Sequence, residues 1–358
     1  MEEERSAQAA QNKTPFVFQG RGGEYFGIWI VNLLLTIITL GIYSPWAKVR
    51  TNRYFYGKTL LNNSGFAYLA DPLAILKGWL IAITAFIIYS VASNFMPVLQ
   101  FVFIGLFLIA LPLLIVRSMA FRAHNSAWQN IRFSFKGRYW EAFKVFLLWG
   151  VVANILSLGL LFPYVQYRQT RFLLENSGYG KSDFEFKANT SEFYIIYLIA
   201  LGIMTLFGVL MVGAGAGVGY MTVATEAVPA EDQADNIAMM AQFAIMPLMF
   251  LMYLSLFAYI GSRIGNLVWN NLMIKGNGLE STLRARDLAW IYFTNLLAII
   301  FSFGLMVPWA KVRTVRYKMD KLQLLAAGNL DQFVQSERQQ ISALGEEVGE
   351  VFDIDIGI

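Results

Sequence analysis

Apolar stretches without any charged residue alternate along this chain with short polar and basic connections. Six such windows are close to or beyond the length of about 20 helical residues that crosses a hydrocarbon core of roughly 30 Å. The second window is long enough for two crossings and is interrupted near Pro97, where proline favours a turn. The pattern therefore predicts an all-α, polytopic membrane protein with about seven apolar segments. The windows are 26–47, 78–116, 145–167, 193–225, 236–262 and 288–310.

The positions of Lys and Arg predict the orientation of these segments, because such residues are retained on the cytoplasmic side. All 28 of them lie outside 78–116 and 188–262, so only the connections at 94–97 and 226–235 lack positive charge. Seven simple crossings would place the basic connections at 168–187 and 263–286 outside, against this rule. The first, fourth and seventh segments therefore either re-enter on the same side or break the rule, and we favour re-entrant or strongly broken helices. Two spanning hairpins complete the prediction, with both termini cytoplasmic.

The three ambiguous segments end in similar motifs. Residues 40–54 match 303–317, and 158–172 form a weaker copy. Each copy has Gly four residues before Pro, an aromatic residue after Pro, and Arg five and eight residues beyond it. An acid also precedes each Gly by 17 or 18 residues. The candidate motif residues are Gly41, Pro45, Trp46, Lys48, Arg50, Arg53, Gly159, Pro163, Arg168, Arg171, Gly304, Pro308, Trp309, Lys311, Arg313 and Arg316.

The motif chemistry predicts three repeated helices that break at Gly and Pro, since proline removes a backbone donor and clashes with the preceding turn. Two interpretations remain open. The motif is an interfacial stop with an aromatic belt and basic anchors, or the broken helices line one shared site, as in many transporters.

Short polar arms lie between the apolar segments, and their alternating apolar residues around Gly or Asn predict small cytoplasmic β-hairpin arms. Together with the motifs they divide the chain into similar portions. The predicted divisions are a disordered N-terminus (1–14), membrane repeat 1 (15–120), membrane repeat 2 (121–262), a partial repeat 3 (263–330) and an acidic cytoplasmic tail (331–358).

Composition excludes several classes of protein. Hydrophobic residues make up 57% of the chain and charged residues 15%, against about 25% charged in soluble domains. With no cysteine, disulfides and thiolate metal sites are excluded. The net charge of +4 records membrane orientation, so we expect no nucleic-acid partner. The expected partners are membrane lipids, through their anionic headgroups at the cytoplasmic face.

Candidate chemistry inside the membrane is limited to uncharged groups. Asn32, Asn154 and Asn295 lie on the three motif helices, where they either make interhelical hydrogen bonds or line a polar path. No acid lies in the middle of an apolar segment, which disfavours a carboxylate proton relay. His124 is the only histidine. We therefore expect no metal, no cofactor and no enzymatic activity.

Several segments resemble one known family. They are the opening Gly22 to Phe26, the Leu-Gly-x-x-x-Pro-Trp-Ala-Lys-Val-Arg motif, Asp71 to Gly78, Glu192 to Tyr194, and the end at 345–355. The resemblance is to the YjgN-type (DUF898) bacterial inner-membrane proteins, a family of unknown function. It implies location in the inner membrane and no residue roles. The middle motif departs from the pattern at Tyr164 and Gln166.

These observations predict a transporter-like or channel-like protein with a repeat-built site near the cytoplasmic leaflet and an undetermined substrate. The alternative is a non-transporting envelope protein that organises lipid or recruits a protein partner. The acidic stretch from Glu346 to Asp355 would either recruit that partner or dock on the protein's own basic face.

Overall fold

The computed structural model describes residues 13–96, 98–224 and 231–353. The predicted turn at Pro97, residues 226–230 of the connection without positive charge and most of the predicted disordered N-terminus lie outside the described residues. The helices are α1 (Gly22–Ile38), α2 (Ser44–Lys58), α3 (Pro72–Phe95), α4 (Leu99–His124), α5 (Tyr139–Leu156), α6 (Phe162–Glu175), α7 (Thr190–Ala224), α8 (Glu231–Asn270), α9 (Ala285–Phe301), α10 (Val307–Asp320) and α11 (Leu330–Asp353).

The arms between helices form one antiparallel sheet, with eleven strands in the part of the chain that the structure describes. Its order is β7-β6-β5-β4-β3-β2-β1-β11-β10-β9-β8. The strands are β1 (Lys13–Phe18), β2 (Thr59–Leu61), β3 (Ser64–Tyr68), β4 (Ser126–Trp128), β5 (Ile131–Phe135), β6 (Ser177–Tyr179), β7 (Ser182–Asp183), β8 (Glu185–Phe186), β9 (Leu272–Ile274), β10 (Asn277–Ser281) and β11 (Leu322–Leu325).

The two end strands of this sheet are consecutive in the chain and are separated only by Phe184. Strand β7 pairs with β6, and the Phe184 N–H extends this pairing by donating to the Ser177 carbonyl at 2.9 Å. Strand β8, which follows Phe184, pairs with β9. The strands therefore form a nearly closed ring, which removes the exposed edges that such short strands would otherwise present.

Each helical pair leaves the ring from one strand and returns to the neighbouring strand. We call these pairs units 1 to 5: α1 with α2, α3 with α4, α5 with α6, α7 with α8, and α9 with α10. Unit 1, for example, begins after β1 and ends at β2, which pair with Phe16 opposite Leu61. Neighbouring units pack side by side, and α10 packs against α1, so the helical units also close into a ring.

Burial is concentrated where the units meet the sheet. None of the 24 residues of α3, all of them described, is buried, and Pro112 is the one buried residue in α4. In α7 the buried apolar residues lie near the start, at Phe193, Ile196 and Ala200. Within the described residues, five helices are long and apolar enough to cross a membrane. They are α3, α4, α5, residues Thr190–Gly217 of α7 and Ile245–Asn270 of α8.

Helix α11 covers the strand ring. Leu330 and Val334 of this helix pack into a buried cluster to which six strands contribute. Tyr179 of β6 stacks against Phe333 with ring centres 6.0 Å apart. The strand residues of the cluster are Leu61, Trp128, Ile131, Tyr179, Ile274 and Leu324.

The predicted fold class is wrong in two respects. The arms are not separate hairpins on an all-α protein, because strands from successive arms pair with one another and form the ring. The candidate spans number five rather than seven among the described residues. Helices α1 and α9 have 17 residues each, fewer than the about 20 that a crossing needs, because a tight turn ends each of them.

Candidate functional site at the junction of units 1 and 5

The three motif glycines adopt the same backbone conformation. Gly41, Gly159 and Gly304 have φ of +93°, +84° and +89°, a region that favours glycine because it carries no Cβ. The residue before each of them is also left-handed, with φ near +50° in every case: 49°, 52° and 53°. The Gly41 N–H donates to the carbonyl five residues earlier at 2.7 Å, as in a Schellman helix end.

Side chains cap these turns in the same way. The hydroxyl two residues before each glycine accepts from the backbone N–H four residues further on. Thr39 does so at 3.0 Å, Ser157 at 3.2 Å and Ser302 at 2.9 Å. The motif proline then occupies the first turn of the second helix in each unit, where its missing N–H costs nothing. Proline therefore begins a helix here, and the glycine turn ends the preceding one.

The motif acids have structural partners in units 1 and 5. Glu24 accepts a hydrogen bond from the Tyr54 hydroxyl at 3.2 Å, and Asp287 accepts one from Tyr317 at the same distance. Each bond ties the start of the first helix to the end of the second. The middle unit has Phe172 at the tyrosine position, so it lacks this bond.

The middle unit accommodates one extra residue between its acid and its glycine. Glu141 lies 18 residues before Gly159, whereas the other two acids lie 17 before theirs. Residues Phe143–Ala153 of α5 are π-helical, and a π-helical segment is a known way to insert a residue into a helix. Gly150 takes the position of Asn32 and Asn295, and Gln169 approaches it so closely that a Cβ there would lie 3.1 Å from Nε2.

Asn32 and Asn295 bind the second helix of their own units. Asn32 is 5% exposed and donates from Nδ2 to the Ala47 carbonyl at 3.3 Å. Asn295 donates to the equivalent Ala310 carbonyl at 3.2 Å and to Thr314 Oγ1 at 3.1 Å. Asn154 lies one turn further along in its own unit, and its buried Oδ1 has no hydrogen-bond partner among the described residues.

Several motif arginines bind groups within the protein. Arg53 donates to the Tyr68 and Ala70 carbonyls at 3.4 and 3.3 Å, and Arg316 donates to the Gly20 carbonyl at 2.7 Å. Arg171 pairs with Glu175 at 2.9 Å. The contacts of Arg53 and Arg316 anchor their helices at the sheet, whereas the Arg171 pair lies within α6. Arg168 lies over the Tyr164 ring, 5.9 Å from its centre.

The first and third motifs meet where units 1 and 5 pack together. Trp309 lies against Phe26, with ring centres 5.0 Å apart, and a Cβ at Gly22 would overlap its indole ring. Tyr25 and Val312 belong to one buried cluster across this contact. Glycine at position 22 therefore permits the close approach of the two units.

Two cavities flank this junction, and Lys311 lines both. The first measures about 370 Å³ and the second about 460 Å³. The Lys311 ammonium lies 4.7 Å from the centre of the Phe55 ring and 5.4 Å from that of Tyr25, within cation–π range. The first cavity is lined by Tyr25, Trp29, Asn32, Leu33, Thr36, Ala47, Lys48, Thr51, Asn52 and Lys311.

The middle motif lies elsewhere in the ring. Helix α6 packs on α7, where Phe162 contacts Tyr197 and Tyr167 contacts Phe193 at ring distances of 5.1 and 5.7 Å. The structure thus brings together two of the three motifs that the sequence singled out.

A second polar cluster, which the sequence did not single out, lies at the strand ring. Glu337 of α11 has no exposed surface. Its carboxylate accepts from the Lys181 N–H at 2.9 Å, the Ser182 hydroxyl at 2.5 Å and the Lys275 ammonium at 2.6 Å. The sequence signal available was an acid on the apolar stripe of an amphipathic tail. The acidic stretch named above begins later, and its side chains lie outside the described part of the structure.

Burial raises the pKa of the Glu337 carboxyl, but the hydrogen bonds from Lys275, Ser182 and the Lys181 N–H outweigh it and hold the pKa below its ordinary value. Gly180 permits the approach, since a Cβ there would lie 2.6 Å from the carboxylate. Helix α11 is therefore fixed to the ring by a buried ionised group.

Comparison with known proteins identifies relatives along nearly the whole chain. The family described as "Bacterial protein of unknown function (DUF898)" matches residues 13–351. The chain is 28% identical over 362 residues to "Inner membrane protein YjgN" of Salmonella typhimurium (strain LT2), and 25% identical over 361 residues to the protein of that name in Escherichia coli (strain K12). Each alignment covers 88% of this chain and 89% of the relative.

No solved structure matches the chain. The relatives' location and the five apolar helices together identify an inner-membrane protein with transmembrane helices. The family match over most of its length shows that the chain belongs to the DUF898 family, as the motif resemblance predicted.

Proposed function

We propose that this inner-membrane protein is transporter-like and moves an amphiphile, a molecule with an apolar chain and a polar head, along its ring of helical units. The observation that carries the proposal is the ring itself. It is closed by the contact between α10 and α1, yet α3 has no buried residue. A helix packed around a solid core would bury an apolar stripe.

The chemistry of the long helices favours an apolar cargo. Residues 78–116 carry no charged side chain, and apolar residues such as Ile81, Phe86 and Phe101 are well exposed. Such a surface suits acyl chains. It is a poor path for a small ion, which needs polar or charged groups at membrane depth.

We also propose that units 1, 3 and 5 are copies of one repeat, and that they enter the membrane and return on the same side. The equivalent turns, caps and prolines support the repeat. Re-entry is supported by the return of every unit to the sheet and by the basic residues at that end. This arrangement places the sheet and both termini in the cytoplasm, in accordance with the positive-inside rule.

Helix α11 closes the sheet end of the ring in this proposal. The apolar cluster around Val334 and the buried Glu337 carboxylate hold it there. Displacement of α11 would therefore open the ring toward the cytoplasm.

The test is lipid movement in reconstituted liposomes. Purified protein is incorporated at several densities with a phosphatidylglycerol that carries a fluorescent label on one acyl chain and an unmodified head, and calcein is enclosed. An impermeant reductant should then quench inner-leaflet lipid at a rate that rises with protein density, while calcein stays inside. Glu337→Gln should raise the rate, because it loosens α11, whereas Asp331→Asn on the exposed start of the same helix should not.

Leakage of calcein together with lipid movement would indicate a non-selective pore and contradict the proposal. If neither moves at any protein density, transport is excluded for this cargo. The protein that organises lipid or recruits a partner would then be the better hypothesis.

A further inference from the structure

The two halves of the junction differ in one hydrogen bond. In unit 5 the Asn295 carbonyl oxygen accepts from Arg313 at 3.3 Å. In unit 1 the buried Asn32 Oδ1 has no partner among the described residues, although Arg50 occupies the position equivalent to Arg313. A buried acceptor that is left unpaired is unfavourable, so a donor that reaches Asn32 would be favoured.

The asparagine that carries this acceptor lines a cavity together with two lysines. Asn32, Lys48 and Lys311 all line the 370 Å³ cavity at the junction. Lys48 and Lys311 have exposed side chains, and the Tyr25 hydroxyl lies 3.4 Å from Lys311 Nζ. The cavity is therefore lined by two positive charges and by an asparagine whose buried carbonyl oxygen lacks a donor among the described residues.

We propose that this cavity binds a phosphate ester that carries a free hydroxyl group, as in a phosphoglycerol headgroup. The phosphate lies against Lys48 and Lys311, and the hydroxyl donates to Asn32 Oδ1. A simple carboxylate or sulfate lacks the donor. A phosphoethanolamine head has a donor, but its ammonium would lie close to two other ammonium groups, and like charges at short range repel.

The cavity volume falls within the range of small-ligand sites, about 300–1,000 Å³. The same chemistry occurs in a lipid headgroup and in a soluble glycerol phosphate. This inference rests on the proposed function for the role of the site in lipid movement. Binding itself is measured in detergent without any transport, so the two proposals fail separately.

The experiment uses the full-length protein in detergent and native mass spectrometry with phosphatidylglycerol and phosphatidylethanolamine of identical acyl chains. The expected preference for phosphatidylglycerol is about tenfold, because both lipids present a phosphate but only phosphatidylethanolamine brings an ammonium close to Lys48 and Lys311. The double variant Lys48→Gln with Lys311→Gln should lose it. Lys318→Gln, on the same helix as Lys311 but outside both cavities, should keep it.

A second variant tests the acceptor. Asn32→Leu should reduce binding of phosphatidylglycerol and leave binding of phosphatidic acid, which lacks the hydroxyl, unchanged. Asn295 is the equivalent residue in unit 5, and its carbonyl oxygen already accepts from Arg313. Asn295→Leu should therefore affect the binding of neither lipid, and it controls for the loss of a motif asparagine. Added glycerol 3-phosphate identifies the source, since competition with the lipid would indicate a soluble ligand and no competition a lipid headgroup.

Three results would overturn the inference. They are equal binding of the two lipids by the native protein, a preference that survives in the double lysine variant, and an equal loss of both anionic lipids in Asn32→Leu.

Discussion

At the scale of single residues, Glu337 and Asn32 are buried polar groups that differ in whether their oxygens have hydrogen-bond donors. Glu337 has three donors, and Asn32 has a carbonyl oxygen without a partner among the described residues. A buried polar group contributes to stability when it is paired and costs free energy when it is not. The first is therefore expected to stabilise the fold, and the second is the acceptor that the proposed ligand would pair.

Replacement of Glu337 by Gln should lower the free energy of unfolding by about 1–3 kcal/mol, because the amide is uncharged and turns a donor toward groups that already donate. Limited proteolysis of α11 in detergent, together with a thermal unfolding curve, measures the effect. Asp331→Asn, an exposed acid on the same helix, should change stability by less than about 0.5 kcal/mol. Equal effects of the two variants would contradict a special role for the buried carboxylate.

The attachment of α11 should also depend on pH. The pKa of the folded Glu337 carboxyl lies below its ordinary value of 4.5, so its contribution is fully present above that value and is lost as the pH falls through the lower, folded pKa. Protease protection of α11 should therefore be constant from pH 7 to pH 5 and decrease in stronger acid. Glu337→Gln should show a flatter profile, and an equally steep loss in that variant would assign the effect to other groups.

At the scale of elements, each broken helix is two helices joined by a turn of defined geometry. The local sequence explains this well: a left-handed residue, a glycine with φ near +90°, a hydroxyl cap and a proline that starts the next helix. Sequence reasoning located these breaks. It assigned the break partly to proline, whereas the structure places proline after the turn, because proline is compatible with the first turn of a helix.

Within unit 1, Gly41 is a test position for the turn and Gly27 is its control inside a helix. Gly41→Ala should destabilise the protein by about 1–2 kcal/mol, since a Cβ is unfavourable in the left-handed region, and space is not limiting because the nearest atom would be a Trp79 ring carbon at 3.9 Å. Gly27→Ala, inside α1 with nothing within 4 Å, should be neutral or stabilising by up to about 1 kcal/mol. Thermal unfolding in one detergent compares them. A harmless Gly41→Ala would show that the turn is not conformationally restricted.

At the scale of the whole molecule, the closure of the two rings determines the architecture. Helical units alternate with strands along the chain. The packing of α10 on α1 and the pairing of β11 with β1 join the last unit to the first. Both ends of every unit consequently lie at the sheet. Under the proposed orientation, with the sheet in the cytoplasm, that geometry would account for the basic connections.

The proposed topology is testable with single cysteines, since the native chain has none. In sealed cells, Asn94→Cys at the far end of unit 2 should react with an impermeant maleimide, and Lys318→Cys at the sheet should react only after permeabilisation. Leu158→Cys, at the 92% exposed turn of unit 3, should resist labelling in both conditions if that unit re-enters within the membrane. Labelling of position 158 from outside would show that the unit crosses.

The sequence by itself determined the membrane location, the family and the positions at which helices end, because apolar length, local motifs and glycine conformation act over a few residues. It also placed β-forming arms between the helices. Only the tertiary structure decided that these arms join into one ring, that two of three motifs meet, and that Glu337 lies buried beneath Lys275. These outcomes depend on contacts between residues far apart in the chain, such as Lys181 with Glu337. Short strands can pair with many partners, and closure of the ring selects among them.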